Sequence, residues 1–158
     1  MEQAPWHRKK IRLSEYDYSE KGAYFVTFCT KNRNAILSHI TSGESPLHPP
    51  EVHLTDIGTL VESCVLQIPA RYPGVNVDSY AIMPNHVHLL IRFTTENCPK
   101  LGQIVQQLKG AVTKQCGIPI WQEKYYDHVI RDETDYLTKY QYIQNNPASW
   151  LEDEYYIP

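Results

Sequence analysis

The sequence has no long hydrophobic run. No window approaches the ~18 uncharged apolar residues of a membrane-spanning helix, and Met1 to Lys10 is polar, without the apolar stretch of a secretory leader. These absences predict a soluble, cytoplasmic protein with no membrane partner. Cysteine is scarce and scattered: Cys29, Cys64, Cys98 and Cys116 fall singly on different predicted elements. Without a Cys-X-X-Cys pair, reduced structural thiols are a better account than disulfides or a zinc knuckle. Internal repeats and low-complexity tracts are also missing. So is a large charge of either sign. The formal net charge is -3, whereas domains that bind nucleic acid are often strongly basic. A chain of 158 residues suits one domain over 1–158, large enough to bury a core without staples.

The charge that is present lies unevenly. An arm over 1–22 carries Arg8, Lys9, Lys10 and Arg12 near its start, while Glu152, Asp153 and Glu154 sit near the other end. A basic arm can contact phosphates, with a modest salt dependence. By charge alone, a solvated basic terminus fits as well.

After the Lys21-Gly22 turn signal, Ala23 to Thr30 is β-branched and aromatic, a first strand. The segment 31–51 is rich in Asn, Ser, Gly, Pro and His and is expected to be loop, which makes His39, His48 and His53 surface histidines. Leu54, Ile57, Leu60, Val61, Cys64, Val65 and Ile68 recur at helical spacing, with Pro69 closing the helix. Val75 to Ile82 reads as strand two, and the strand that begins at His86 as its hairpin partner. Leu101, Ile104, Val105, Leu108, Val112 and Cys116 trace a second helix ended by Gly117. Ile118 to Gln122 is expected to be extended, and Tyr126 to Ile130 to be strand four. The order β-α-β-β-α-β is that of a ferredoxin-like α+β sandwich, one antiparallel sheet with two helices on one face and strands one and three central. A further C-terminal helix is predicted over 132–147, with Asp132 as N-cap and Pro147 as its stop.

Two places carry chemistry. In Met83-Pro84-Asn85-His86-Val87-His88-Leu89-Leu90-Ile91 the alternation of a strand sends both imidazoles to one side and Val87 and Leu89 to the other. Two neutral nitrogen donors on a rigid central strand are most of what a divalent metal needs. An arbitrary His-X-His is more often only a polar face, but the turn formers before this one and the apolar residues after it favour ligation. On the last helix, Tyr136, Tyr140 and Ile143 cluster as a core side with Leu137 at its border, while Tyr142 shares another side with Asp135, Lys139 and Asn146. Tyr142 and Asn146 stack on adjacent turns. Asn146 can complete the ligands of a metal held by His86 and His88, beside which Tyr142 would be the nucleophile. With an all-neutral ligand set the ion keeps its full double charge for phosphoryl transfer, and attack by tyrosine conserves the bond energy for rejoining.

Pro84-Asn85-His86-Val87-His88-Leu89-Leu90 resembles the HUH motif, and Tyr142-Ile143-Gln144-Asn145-Asn146-Pro147 resembles the tyrosine helix of single-tyrosine HUH transposases. The chain is more narrowly similar to the REP-associated tyrosine transposases. That likeness runs through Tyr16-Asp17-Tyr18, Tyr24 to Phe28, Leu108-Lys109-Gly110, Ile120-Trp121-Gln122 and Tyr126 to Glu133. The resemblance implies an enzyme that binds a hairpin in single-stranded DNA, cuts the strand with Tyr142 and keeps the 5' end covalently attached. It implies Mg2+ or Mn2+ held by His86, His88 and Asn146, and DNA contacts from Arg8, Lys9, Lys10 and Arg12. Imidazole nitrogen suits manganese better than magnesium. Monomer and homodimer both remain open, with Tyr142 against its own histidines or a partner's.

Two other functions compete. One is a ferredoxin-like nucleic-acid-binding module with an inactive metal site; the other is a zinc hydrolase, disfavoured because no carboxylate lies near His86 to Ile91. Trp121, Tyr125 and Tyr126 can stack on bases, at ~1–3 kcal/mol each, but packing against the sheet is the stronger expectation. His128 is expected to be a satisfied structural histidine rather than a ligand. Lys139, three residues before Tyr142, is placed to ease deprotonation of the phenol.

Overall fold

The computed structural model describes residues 21–41 and 49–157. Arg8, Lys9, Lys10 and Arg12 of the basic arm, and His48, lie outside the described residues. Among the described residues, six strands and four α-helices follow in the order β1 (Gly22–Cys29), β2 (Ser38–Thr41), β3 (Glu51–Leu54), α1 (Asp56–Leu66), α2 (Ile68–Arg71), β4 (Val75–Ile82), β5 (His86–Phe93), α3 (Leu101–Cys116), β6 (Tyr126–Val129) and α4 (Glu133–Asn145). The main sheet has the order β4-β5-β1-β6 with every pairing antiparallel, so β1 and β5 are its inner strands.

Side-chain alternation gives this sheet two different faces. Tyr24, Val26 and Phe28 of β1 and Val87, Leu89, Ile91 and Phe93 of β5 point into the main core against Val61 and Val65 of α1 and Leu101, Ile104, Leu108 and Val112 of α3. Cys29, Ala81, Met83 and Leu90 point the other way, into a smaller cluster with Ile143 of α4 and with Trp150 and Tyr155 from the segment after it. Caps match the sequence chemistry. Thr55 accepts from the Gly58 amide at the start of α1, Asp132 accepts from the Asp135 amide at the start of α4, and Gly117 ends α3 at φ 80°.

Three local expectations change. The segment 31–51 is not all loop, because Ser38–Thr41 and Glu51–Leu54 pair as a two-stranded hairpin. Glu51 to Leu54 does alternate polar and apolar, but each strand is only four residues long and lies among turn formers. Tertiary bonds hold the hairpin, from Leu37 N to Pro84 O at 3.0 Å and from Ser38 Oγ to Ile82 O at 3.0 Å. Pro69 does not close α1, which ends at Leu66; it falls in the first turn of α2, where a missing amide hydrogen costs nothing. Tyr140 is 37% exposed rather than core, while Lys139 and Ile143 are the buried residues of α4. The helix keeps Ile143 and part of Tyr136 against the sheet, as expected, but is rotated enough to turn Tyr140 outward and bring Lys139 in.

A bulge anchors that rotation. The β4 register shifts between Val77 and Ser79, leaving Asp78 as an extra residue. Its carboxylate accepts from Arg92 Nε at 2.8 Å and from Tyr136 Oη at 2.5 Å, and Gln144 Nε2 donates to Ser79 Oγ at 3.0 Å. Burial alone would raise the Asp78 pKa, but the hydrogen bonds from Arg92 and Tyr136 outweigh it and hold the carboxyl below its ordinary value. A depressed carboxyl stabilises the fold above the unfolded pKa of ~3.9 and loses that contribution as pH falls through the folded value. Asp78→Asn is therefore expected to destabilise the protein at pH 7, with the gap between mutant and parent in urea denaturation closing below pH ~4.

Candidate active site

His86 and His88 open β5 directly after the Pro84-Asn85 turn, and the commitment of Val87 and Leu89 to the main core turns both imidazoles to the second face. They are 0% and 1% exposed, with ring centroids 4.6 Å apart. Each Nδ1 is occupied, by Asn85 Oδ1 at 2.8 Å for His86 and by Thr27 Oγ1 at 2.7 Å for His88. Each Nε2 is buried without a hydrogen-bond partner among the described residues. Burial drives the His86 imidazolium down to about 4, against the opposing pull of Asp153 and Asn146, and puts His88 well below its ordinary value with help from His86 and Lys139. Both rings are thus neutral near pH 7, the form that ligates a metal.

Asn146 and a residue that the sequence did not single out complete the cluster. The Asn146 side chain is buried, its Nδ2 donates to Asp153 Oδ2 at 2.9 Å, and its Oδ1 has no partner among the described residues. Asp153 Oδ2 lies 3.8 Å from His86 Nε2, and a ligand atom from each of His86, His88 and Asp153 lies within 4.8 Å of the others. Orphaned buried acceptors cost roughly 1–3 kcal/mol each unless something satisfies them. Two imidazole nitrogens, an amide oxygen and a carboxylate are donors that suit a divalent cation such as Mn2+.

Asp153 adds a carboxylate to the donors that the sequence offers as an all-neutral set. In the sequence it is only one of three acidic residues near the end, with nothing to distinguish it from Glu152 and Glu154. The chain turns back after Pro147 through a short 3-10 turn at Trp150–Glu152. Trp150 and Tyr155 are buried, the latter with its ring 4.5 Å from that of His86. Large aromatics within an acidic segment were the available signal, since residues of that size are seldom left in water. Asp153 also supplies the carboxylate whose apparent lack counted against a hydrolase.

Tyr142 stands at the rim of this cluster. It is 40% exposed, with its ring 5.3 Å from the ring of His88 in the same chain and 5.9 Å from that of Phe25. It lines a cleft of about 270 Å³ together with His88, Thr27, Tyr126, His128 and Lys139. Lys139 is 8% exposed, its Nζ lies 5.2 Å from the Phe25 ring centroid, and burial lowers its pKa to about 8 against the opposing pull of Asp135. His128 Nε2 pairs with Asp135 Oδ2 at 2.7 Å, apart from the two histidines of β5. Trp121 packs edge-on against Phe28 at 5.1 Å, and Tyr125 is buried; only Tyr126 of the three aromatics faces the cleft.

No family model matches the chain. An uncharacterized protein of Haemophilus influenzae is 35% identical over 176 residues, spanning 96% of this chain and 94% of that one. A REP-associated tyrosine transposase of Escherichia coli is 24% identical, covering 86% of this chain and 73% of its own. The solved structure of a REP-associated tyrosine transposase bound to a REP hairpin matches with a TM-score of 0.62 at 25% identity, over 85% of this chain and 73% of that chain.

The cluster makes a binding prediction. Saturating Mn2+ should raise the melting temperature, by the equivalent of about 2.7 kcal/mol at a hundredfold excess over Kd. His88→Ala should abolish the rise. Asp153→Asn should reduce it, and an undiminished rise in that variant would show that the carboxylate takes no part.

Proposed function

We propose that the chain, similar over most of its length to REP-associated tyrosine transposases, is a member of that family, and that it binds hairpin-containing single-stranded DNA and cuts and rejoins the strand through a 5'-phosphotyrosine. One observation carries the proposal: in a single chain, the Tyr142 ring sits 5.3 Å from that of His88, which lines the same cleft and whose buried Nε2 has no hydrogen-bond partner among the described residues. We take the sheet order β4-β5-β1-β6 as that of a ferredoxin-like sandwich, with α4 added as the tyrosine helix. Arg8, Lys9, Lys10 and Arg12 are the proposed DNA contacts, acting mainly on phosphates.

Tyr142 Oη attacks the scissile phosphorus; the bond to the 3' oxygen breaks, and that oxygen leaves as a 3'-hydroxyl after taking up a proton. Reversal, with a 3'-hydroxyl attacking the phosphotyrosine, restores the phosphodiester and frees the phenol. His86, His88, Asn146 and Asp153 would hold Mg2+ or Mn2+, which when bound supplies positive charge to the phosphate oxygens. The protein's own groups do the positioning. Anchored through Asp78 and Ser79, α4 presents Tyr142 at the cleft, while the Lys139 ammonium adds a fixed positive charge along the same wall. No helix among the described residues is long and apolar enough to cross a membrane, and a DNA substrate is consistent with action in the cytoplasm.

Labelled single-stranded hairpin DNA with Mn2+ is expected to give a covalent adduct on denaturing gels, absent with Tyr142→Phe. Binding without an adduct under any divalent ion would instead mark a binding module, and cleavage that survives Tyr142→Phe would mark a metal-dependent hydrolase. Lys139→Met should move the rising limb of the pH–rate profile to higher pH, because a cation near the phenol favours the phenolate. Since Lys139 loses its proton at about 8, the ratio of parent to mutant rates should be largest below that pH and shrink above it; an unchanged profile would remove Lys139 from the mechanism.

A further inference from the structure

Asn85 is fully buried, carries no charge and touches neither the cleft nor the phenol, yet every polar atom of its side chain is engaged. Its Oδ1 faces His86 Nδ1 at 2.8 Å. Its Nδ2 donates to Tyr155 O at 2.6 Å and to Arg33 O at 3.3 Å. Its own backbone carbonyl accepts from Thr30 N at 3.0 Å. Three stretches distant in sequence therefore meet on one side chain: the turn that opens β5, the turn after β1, and the segment after α4.

The amide has only one workable orientation. Turned over, its oxygen would face two carbonyl oxygens and its NH2 would face the ring. With the oxygen toward the ring, which it can only do as an acceptor, His86 must carry its proton on Nδ1, so the lone pair lies on Nε2, the atom nearest Asp153. Thr27 cannot make the same choice for His88, because a hydroxyl can donate or accept. The second engagement reaches the carboxylate. Tyr155, whose carbonyl Asn85 holds, donates its own backbone N–H to Asp153 Oδ1 at 2.8 Å, while Asn146 holds Oδ2. The third engagement meets stored strain. Asn32 and Arg33 are consecutive non-glycine residues at φ 57° and 55°, a sparsely populated region that persists only where its surroundings enforce it.

We propose that Asn85 is a positioning residue for the cation site, setting the ligating tautomer of His86 and tying down the peptide that orients Asp153. This rests on the reading of His86, His88 and Asp153 as ligands, and the experiment separates the two. Long-range 1H–15N correlation spectra of the metal-free full-length chain, 15N-labelled at histidine and held at pH 7.5, report which ring nitrogen bears the proton. In the parent, His86 is expected to show Nδ1–H and a bare Nε2. Asn85→Leu, close in volume but without an acceptor, should lose that bias. Asn85→Asp keeps an acceptor against the ring and should retain it. Mn2+ affinity, followed by the paramagnetic resonance signal of the free ion, should fall roughly 10–100-fold in Asn85→Leu, the usual effect of removing the partner that orients a ligand.

A parent protein with its His86 proton on Nε2 overturns the proposal outright and needs no variant to do so. An Asn85→Leu protein that keeps both Nδ1–H and the parent's Mn2+ affinity also overturns it. If Asn85→Leu does not fold, the parent and Asn85→Asp spectra carry the test. The expected tautomers together with no Mn2+ binding by the parent would support the tautomer assignment and overturn the cation reading of the site.

Discussion

The constraint on which the molecule depends is the two-residue period of β5. Val87, Leu89, Ile91 and Phe93 are committed to the core under α1 and α3, so His86 and His88 have no choice but the opposite face. A slip of one residue in the pairing with β1 would bury two imidazoles among aliphatic side chains and turn Val87 and Leu89 toward the cleft. The apolar core on one side of the sheet thereby enforces the register of the polar site on the other. Pairings of Thr27 with His88 and of Cys29 with His86 carry that register across to β1, where Thr27 then meets a ring nitrogen.

The sheet and the turn before β5 satisfy each Nδ1 but neither Nε2 among the described residues. Helix α4 and the segment after it cover the two rings from one side and bring Asn146 and Asp153 to them, at some cost in hydrophobic contact. The inward face of α4 includes Lys139 and Asn146 beside Ile143, a poor apolar stripe for a helix that must stay in place. Specific bonds to the bulge at Asp78 and to Ser79 substitute for part of the missing apolar contact, and Trp150 and Tyr155 add buried aromatic area just beyond. What results is a phenol at the rim of the cluster on a helix fixed near both ends, through Tyr136 and Gln144.

Legibility followed the range of the interactions. The strands at 75–82 and 86–93, the helix at 101–116 and the capped start of α4 rest on periodicity and local caps, and they could be read with little error. The hairpin of β2 and β3 was not read, because two four-residue strands among turn formers give a weak local signal and further bonds to Pro84 and Ile82 fix them. On α4 a helical wheel ranked residues by hydrophobicity and put Tyr140 inside; the polar demand of the site turned Lys139 inward instead. Asp153 was invisible for a related reason, since what carries it to His86 is the docking of aromatic neighbours on a surface that exists only after folding.

By itself the sequence determined which chemical groups were available and on which face of which element they stood: two imidazoles on one side of a strand, a phenol and an amide four residues apart on one side of a helix. Those are local properties of backbone geometry, set by periods of two and 3.6. Tertiary structure alone decided that the groups meet within one chain, that a carboxylate joins them, and that Asn85 faces three partners at once. Convergence of residues some sixty positions apart depends on how layers pack and on which buried polar atoms must be satisfied, and neither is encoded in any window along the chain.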